Sequence, residues 1–125
     1  MNKVKEKNLM IIEDDPTLRM LLSYMVKIHR PQVNIIECEN GKDALMHMTS
    51  DIQLIFTDNN MPILTGVEFM LLVKEDPRYS HIPIVMVSID SRPEYISMGL
   101  KTGFSGWVVK PFQREQIIEY LNKYA

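Results

Sequence analysis

Four stretches of this 125-residue chain run from apolar residues into side chains that can do chemistry. Ile11-Ile12 leads into Glu13-Asp14-Asp15, and Leu54-Ile55-Phe56-Thr57 leads into Asp58-Asn59-Asn60. Val85-Met86-Val87 leads into Ser88, and Val108-Val109 into Lys110-Pro111. If these apolar runs are neighbouring parallel strands, their ends share one edge, where open α/β sheets keep their ligands. Three carboxylates converging there, Glu13, Asp14 and Asp58, would repel one another strongly unless a cation joined them. Oxygen donors suit Mg²⁺, which is commonly held by one or two carboxylates together with waters and a phosphate. Lys110 adds a positive charge and Ser88 a hydroxyl. An acid nucleophile, a hard metal, an ammonium and a hydroxyl together describe phosphoryl chemistry: the cations neutralise the transferring group and Ser88 donates a hydrogen bond to it. Each residue also has a plainer reading. Asp58 can serve only as a turn former, Asp15 before Pro16 reads as a helix cap, Lys110 as a solvated loop lysine and Ser88 as a cap. Taken singly, the two readings of Asp58 are evenly matched and the plainer ones of the Glu13-Asp14-Asp15 cluster, Lys110 and Ser88 are favoured, but four strand ends carrying matching chemistry by chance are not.

The elements that must position these groups alternate strand and helix. An apolar strand is expected at Asn8–Ile12, then a helix capped by Asp15 with Pro16 at its first position and Leu18, Leu21, Leu22, Met25 and Val26 as its inner stripe. A second strand over 33–37 precedes a helix opening at Asn40-Gly41, with Ala44, Leu45 and Met48 inward. Ile52–Thr57 shows no polar alternation, so it reads as a strand buried on both faces, stopped by Met61-Pro62. Thr65 and Glu68 have capping-box spacing for a helix whose apolar residues include Val67 and 69–73. A loop over 76–81, a strand over 82–87, a helix over about 94–101, a short strand over 107–109 and a helix over 113–124 follow, the last with Ile117, Ile118, Leu121 and Tyr124 inward. Five βα units in one domain spanning 1–125 imply a parallel sheet with helices on both faces.

Composition narrows the function classes. Apolar residues make up 46% and charged residues 24%, an ordinary globular balance, and a net charge of −2 opposes a nucleic-acid footprint, as does the lack of a helix-turn-helix candidate. One cysteine, Cys38, excludes an internal disulfide and points to a reducing compartment. No apolar run approaches membrane-spanning length, and the polar N-terminus Met-Asn-Lys-Val-Lys-Glu-Lys has no apolar core behind it, so a cytoplasmic location is expected. The ten methionines fall at apolar-periodic positions and read as core filler.

Along nearly its whole length the chain resembles the receiver domains of two-component response regulators. The resemblance is carried by Ile12-Glu13-Asp14, by Asp58-Asn59-Asn60-Met61-Pro62, by the run from Ile82 to Ser88, and by Gly103-Phe104-Ser105-Gly106-Trp107-Val108-Val109-Lys110-Pro111-Phe112. The close of the chain is most similar to the chemotaxis-type, CheY-like regulators. The resemblance implies a flavodoxin-like, doubly wound five-stranded parallel sheet of order 2-1-3-4-5 with five helices. It implies a phosphoprotein switch, not an enzyme in its own right, that accepts a phosphoryl group on Asp58 from a histidine kinase, a phosphotransfer protein or a small donor such as acetyl phosphate, and later loses it by autodephosphorylation. Mg²⁺ (or Mn²⁺) would be held by Asp14, Asp58 and the backbone carbonyl of Asn60, with Glu13 acting through water. Ser88 would swing to the phosphoryl group, Lys110 would contact it, and Trp107 would be the aromatic that turns inward when Ser88 moves. A protein target would dock on the last strand and its flanking helices, drawing on Tyr95, Met98, Trp107, Gln116 and Tyr120, with a monomer at rest and a dimer on activation as an option.

Ile89, directly after Ser88, departs from the small residue common there in the family, and is expected to slow access of small phosphodonors or of a phosphatase. Asn60 and Asp90 fall at the positions that tune phosphoryl lifetime in the family, and both are polar, as in the short-lived members. Three functions fit these residues: a stand-alone switch, a phosphorelay intermediate or receiver excised from a longer regulator, and a metal-dependent aspartyl-phosphate phosphatase. The phosphatase reading is weakened by Asn60, which stands where a general acid is needed and cannot transfer protons at neutral pH.

Overall fold

Period-two sorting of the strand residues explains the architecture. The computed structural model describes residues 7–125, and the polar stretch 1–6 lies outside the described residues. Five parallel strands, β1 (Asn8–Ile12), β2 (Asn34–Cys38), β3 (Ile52–Thr57), β4 (Ile84–Ser88) and β5 (Gly106–Val109), form one sheet of order β2-β1-β3-β4-β5. Successive side chains on a strand point to opposite faces. Met10, Ile12, Ile55, Ile84 and Met86 therefore pack with Ala44, Phe69, Met70 and Val73. Leu9, Ile11, Leu54, Phe56, Val85 and Val87 point the other way and pack with Leu22, Val26, Ile117 and Leu121. The first set comes from helices α2 (Gly41–Met46) and α3 (Gly66–Glu75), the second from α1 (Pro16–His29) and α5 (Arg114–Tyr124). An apolar run without alternation thus becomes a strand covered on both faces. Helix α4 (Pro93–Thr102) buries none of its residues fully and rests on the sheet through Gly99, where an added Cβ would come within 2.6 Å of the Trp107 ring.

The order and the five βα units agree with the sequence reading, and several bounds and faces are corrected. β2 starts one residue later than expected and ends on Cys38, because the ladder with β1 pairs Asn8 with Asn34 and Ile12 with Cys38. β4 starts at Ile84, because Pro83 has no N–H to give a ladder and offers only its carbonyl, to Ile55. Ser88 is inside β4, paired with Val109. The helices carry more apolar residues than their inner faces can bury. In α1 only Leu22 and Val26 of the expected stripe are buried, and Leu21 is 42% exposed. Leu45, Val67, Leu71 and Leu72 also face outward, while Ile118 and Tyr124 are half-buried. The caps form as their residue types dictate: Asp15 accepts from the amides of Thr17 and Leu18, and Thr65 with Glu68 closes a complete capping box.

Candidate functional site at the carboxyl edge of the sheet

Backbone hydrogen bonds carry the sheet one residue past its strands and so fix the functional groups. The Glu13 amide donates to the Cys38 carbonyl at 3.0 Å, Asp58 to Ile12 at 3.0 Å, and Lys110 to Ser88 at 2.8 Å. The loop after β3 then folds tightly back: the Gly66 amide donates to the Asn59 carbonyl, and a Cβ on Gly66 would lie 2.4 Å from the Asp58 carbonyl oxygen. Only glycine permits that approach. The Asn59 side chain completes the loop by accepting from the Val67 amide. Ile63, in the same loop, holds φ at 75°, a left-handed conformation that costs a β-branched residue energy.

The expected acids meet. Carboxylate oxygens of Glu13, Asp14 and Asp58 lie within 4.8 Å of one another, with Glu13 and Asp58 buried and Asp14 exposed. Lys110 reaches in from the end of β5, its Nζ 2.7 Å from Glu13 Oε1 and 3.3 Å from Asp58 Oδ1. Three carboxylates against one ammonium leave a formal charge of −2. Both oxygens of Glu13 are engaged, because Oε2 accepts the Asp15 amide. On Asp58, Oδ1 takes the Asn59 amide at 2.8 Å as well as Lys110, so Oδ2 is the oxygen left for chemistry. Burial pushes the Glu13 carboxyl above its ordinary range, although the Lys110 hydrogen bond pulls the other way. Burial also opposes the Lys110 charge, but Glu13 and Asp58 together outweigh it and hold the ammonium above its usual value. All-oxygen, anionic donors beside one solvent-facing acid fit a hard divalent cation such as Mg²⁺, with water completing its shell.

Ser88 lies on the same edge, 1% exposed, its Oγ accepting from the Asp90 amide at 3.1 Å. Asp90 links several groups. Its carboxylate is gripped by Arg92 at 2.6 Å, and its carbonyl accepts from the Trp107 indole at 3.0 Å. Arg92 in turn stacks on Tyr95, 3.8 Å from the ring centroid, at the start of α4. Trp107 packs inward, edge-on to Phe104. A chain of contacts thus runs from the Ser88 hydroxyl through Asp90 to Trp107 and α4. The structure brings together Glu13, Asp14, Asp58 and Lys110, and sets Ser88 on the same sheet edge, its carbonyl accepting the Lys110 amide. Asn60 and Ile89 stand exposed at its rim, Ile89 by 69%. Tyr95, Met98 and Gln116 are exposed, while Tyr120 is half-buried, its ring against Gly106. The sequence reading did not single out Arg19, which holds the Glu13 carbonyl at 2.7 Å, nor Asn59 and Gly66. The Asn and Gly were visible as turn formers. Arg19 gave no signal, since it lies on a helix six residues from its partner.

Comparison with known proteins places the chain in a family. The response regulator receiver domain family matches residues 9–122. The chain is 29% identical over 116 residues to a chemotaxis protein CheY of Pseudomonas aeruginosa, covering 92% of this chain and 93% of that one. It is 37% identical over 110 residues to a segment of a histidine kinase P4 of Formosa agariphila, covering 86% of this chain and 8% of that protein. Among solved structures, the chemotaxis response regulator CheY4 of Vibrio cholerae superposes with a TM-score of 0.82 at 26% identity, covering 95% of this chain and 98% of that one. An acidic cluster, a lysine and a serine on the carboxyl edge of a 2-1-3-4-5 sheet, and a family match across the fold, lead to one conclusion: the chain belongs to the response regulator receiver domain family, as a CheY-like receiver of two-component signalling.

Proposed function

We propose that this chain is a phosphorylation-dependent signalling switch in which Asp58 is the phosphoacceptor. The observation that supports it most is the Asp58 carboxylate itself: it is 7% exposed, oriented through Oδ1 by Asn59 and Lys110, and leaves Oδ2 for attack. An Asp58 oxygen forms a bond to phosphorus as the donor's P–N bond breaks, and the departing imidazole nitrogen keeps the electron pair and takes a proton. With acetyl phosphate as donor, a P–O bond breaks and acetate leaves. Mg²⁺, held by Asp14, Asp58 and the Asn60 carbonyl with Glu13 acting through water, would neutralise charge on the phosphoryl oxygens. Lys110 is placed to shift from Glu13 to the new phosphoryl group, and Ser88 to donate its hydroxyl to it. Water later attacks phosphorus, the bond to the Asp58 oxygen breaks, and inorganic phosphate leaves with the carboxylate restored.

The added charge, about −1.5 to −2 with strong acceptor oxygens, is the input to the switch. Drawing Ser88 away from the Asp90 amide loosens the Asp90–Trp107 bond and shifts α4, and a protein target reads the face formed by α4, β5 and α5. Exposed Ile89 and Asn60 at the rim, with Asp90, set how quickly donors arrive and how long the phosphoryl group lasts. Among the described residues no helix is long and apolar enough to cross a membrane. A cytoplasmic site of action, facing the kinase, is part of this proposal.

Trp107 fluorescence tests the reading directly. Mg²⁺ followed by acetyl phosphate is expected to change it, with a mass gain of one phosphoryl group, and Asp58→Asn is expected to abolish both. No change and no mass gain, with phosphoramidate as well, would overturn it. A second reading, an intermediate or module of a longer relay protein, is favoured by the similarity to a segment making up 8% of a histidine kinase. Rapid transfer from phospho-Asp58 onto a histidine phosphotransfer protein, without binding of a separate target, would select it.

A further inference from the structure

Next to the acidic cluster, at the end of the neighbouring edge strand, three residues of other chemistry converge. β2 ends on Cys38, whose side chain is fully buried. Asn40 caps α2 by accepting from the Asp43 amide, and this sets Asp43 and His47 four residues apart, on one helical face. The Cys38 sulfur, an Asp43 oxygen and a His47 ring nitrogen all lie within 4.8 Å of one another.

Each donor is already oriented by the protein. His47 Nδ1 lies 2.8 Å from the Asp43 carbonyl and 3.3 Å from Asp43 Oδ1, which holds the ring against the carboxylate. Asp43 Oδ2 accepts the Glu39 amide at 3.2 Å, which orients the carboxylate. The Cys38 thiol makes no hydrogen bond among the described residues. A buried cysteine alone is core filler, and an exposed Asp–His pair alone is a surface contact. Sulfur, nitrogen and oxygen donors meeting at one point from a strand end and a helix face are a ligand set.

We propose that Cys38, Asp43 and His47 form a binding site for a soft or borderline divalent metal ion of the Zn²⁺ class, separate from the acidic cluster. Thiolate and imidazole favour Zn²⁺ over Mg²⁺, so the two sites sort ions by donor chemistry. Tetrahedral Zn²⁺ takes Zn–S and Zn–N bonds of about 2.3 and 2.0 Å. The short α2, six residues long with His47 as its C-cap, is the element that would adjust around the ion. On binding, the Cys38 thiol gives up its proton as the sulfur–metal bond forms, against the burial that otherwise holds that proton in place. Three protein ligands leave a fourth tetrahedral position for water or a partner's side chain. The Cys38 carbonyl accepts the Glu13 amide, so an ion here sits one peptide away from the acidic cluster.

The test is a Co²⁺ titration of the full chain with Mg²⁺ in excess to fill the acidic cluster, followed by Zn²⁺ competition. The expected result is one equivalent of Co²⁺ with a thiolate-to-cobalt charge-transfer band in the near ultraviolet and tetrahedral visible bands, all removed by Zn²⁺. Cys38→Ser is expected to remove the charge-transfer band. His47→Gln, at an exposed position that leaves the core intact, is expected to weaken Zn²⁺ binding by at least about 100-fold. Asp14→Asn is expected to leave both signals unchanged. Absence of the charge-transfer band in the wild-type chain, or equal Zn²⁺ affinity in the wild type and His47→Gln, would overturn the site and assign any bound ion to the acidic cluster or to His29 and His81.

Discussion

Replacing Lys110 with Met removes the ammonium from between two buried carboxylates, and the structure allows the consequence to be worked out. The side chains of Lys110, Glu13 and Asp58 are 12%, 6% and 8% exposed, so solvent screens them little. At 2.7 Å and 3.3 Å, with an effective dielectric near 20, the gross attractions are about 6 and about 5 kcal/mol. Desolvation of the ammonium takes back several kcal/mol, and truncating one partner of a buried ion pair leaves a net loss of about 3 kcal/mol. In a chain of 125 residues that is a fall in Tm of about 10 °C. The loss is capped because Glu13 can take a proton: burial raises its pKa above 4.5 already, and losing the lowering influence of Lys110 raises it further. A carboxyl that binds its proton more tightly folded than unfolded favours the fold in acid, and that advantage fades as pH rises from 4.5 through the folded value. The variant is therefore expected to lose stability with rising pH more steeply than the wild type across that window. Urea unfolding in EDTA over a pH series measures both quantities. Adding Mg²⁺ should then stabilise Lys110→Met more than the wild type, because the cation answers an uncompensated charge and binds only the folded state. Equal stability of the two proteins in EDTA, or an unchanged pH slope, would refute the assigned role of Lys110 as counterion of Glu13 and Asp58.

Three further perturbations probe the supports of the site. Ile63→Gly relieves a positive φ and is expected to raise stability by about 1 kcal/mol with an unchanged m-value; no gain in urea would mean that the loop carries no strain there. Gly66→Ala drives a Cβ to 2.4 Å from the Asp58 carbonyl, and should cost about 3 kcal/mol and slow phosphorylation by acetyl phosphate, measured by mass; a wild-type rate would show that the loop yields freely. Trp107→Phe deletes the indole bond to the Asp90 carbonyl, worth about 1 kcal/mol, so amide exchange in α4 should quicken about fivefold. Unchanged exchange would sever Trp107 from α4.

Much of this protein was legible along the chain, because local physics decides it. Mostly apolar runs without alternation, such as Ile52–Thr57, must be covered on both faces, Asp15 before Pro16 must start a helix, and Thr65 with Glu68 must box one. Acids, a serine and a lysine at four strand ends then share an edge once the strands are parallel and adjacent. Tertiary structure decided what depends on neighbours. Which apolar residues of α1 and α2 face solvent follows from what each helix packs against, and periodicity alone marked Leu21 and Leu45 as inward. The start of β4 was decided by its pairing partner, since Pro83 lacks the donor a ladder needs. Lys110 settles on Glu13 more closely than on Asp58, Arg19 reaches back to the Glu13 carbonyl, and Cys38 meets Asp43 and His47. These are contacts through space, between side chains whose separation in sequence carries no energy and so leaves no pattern to read.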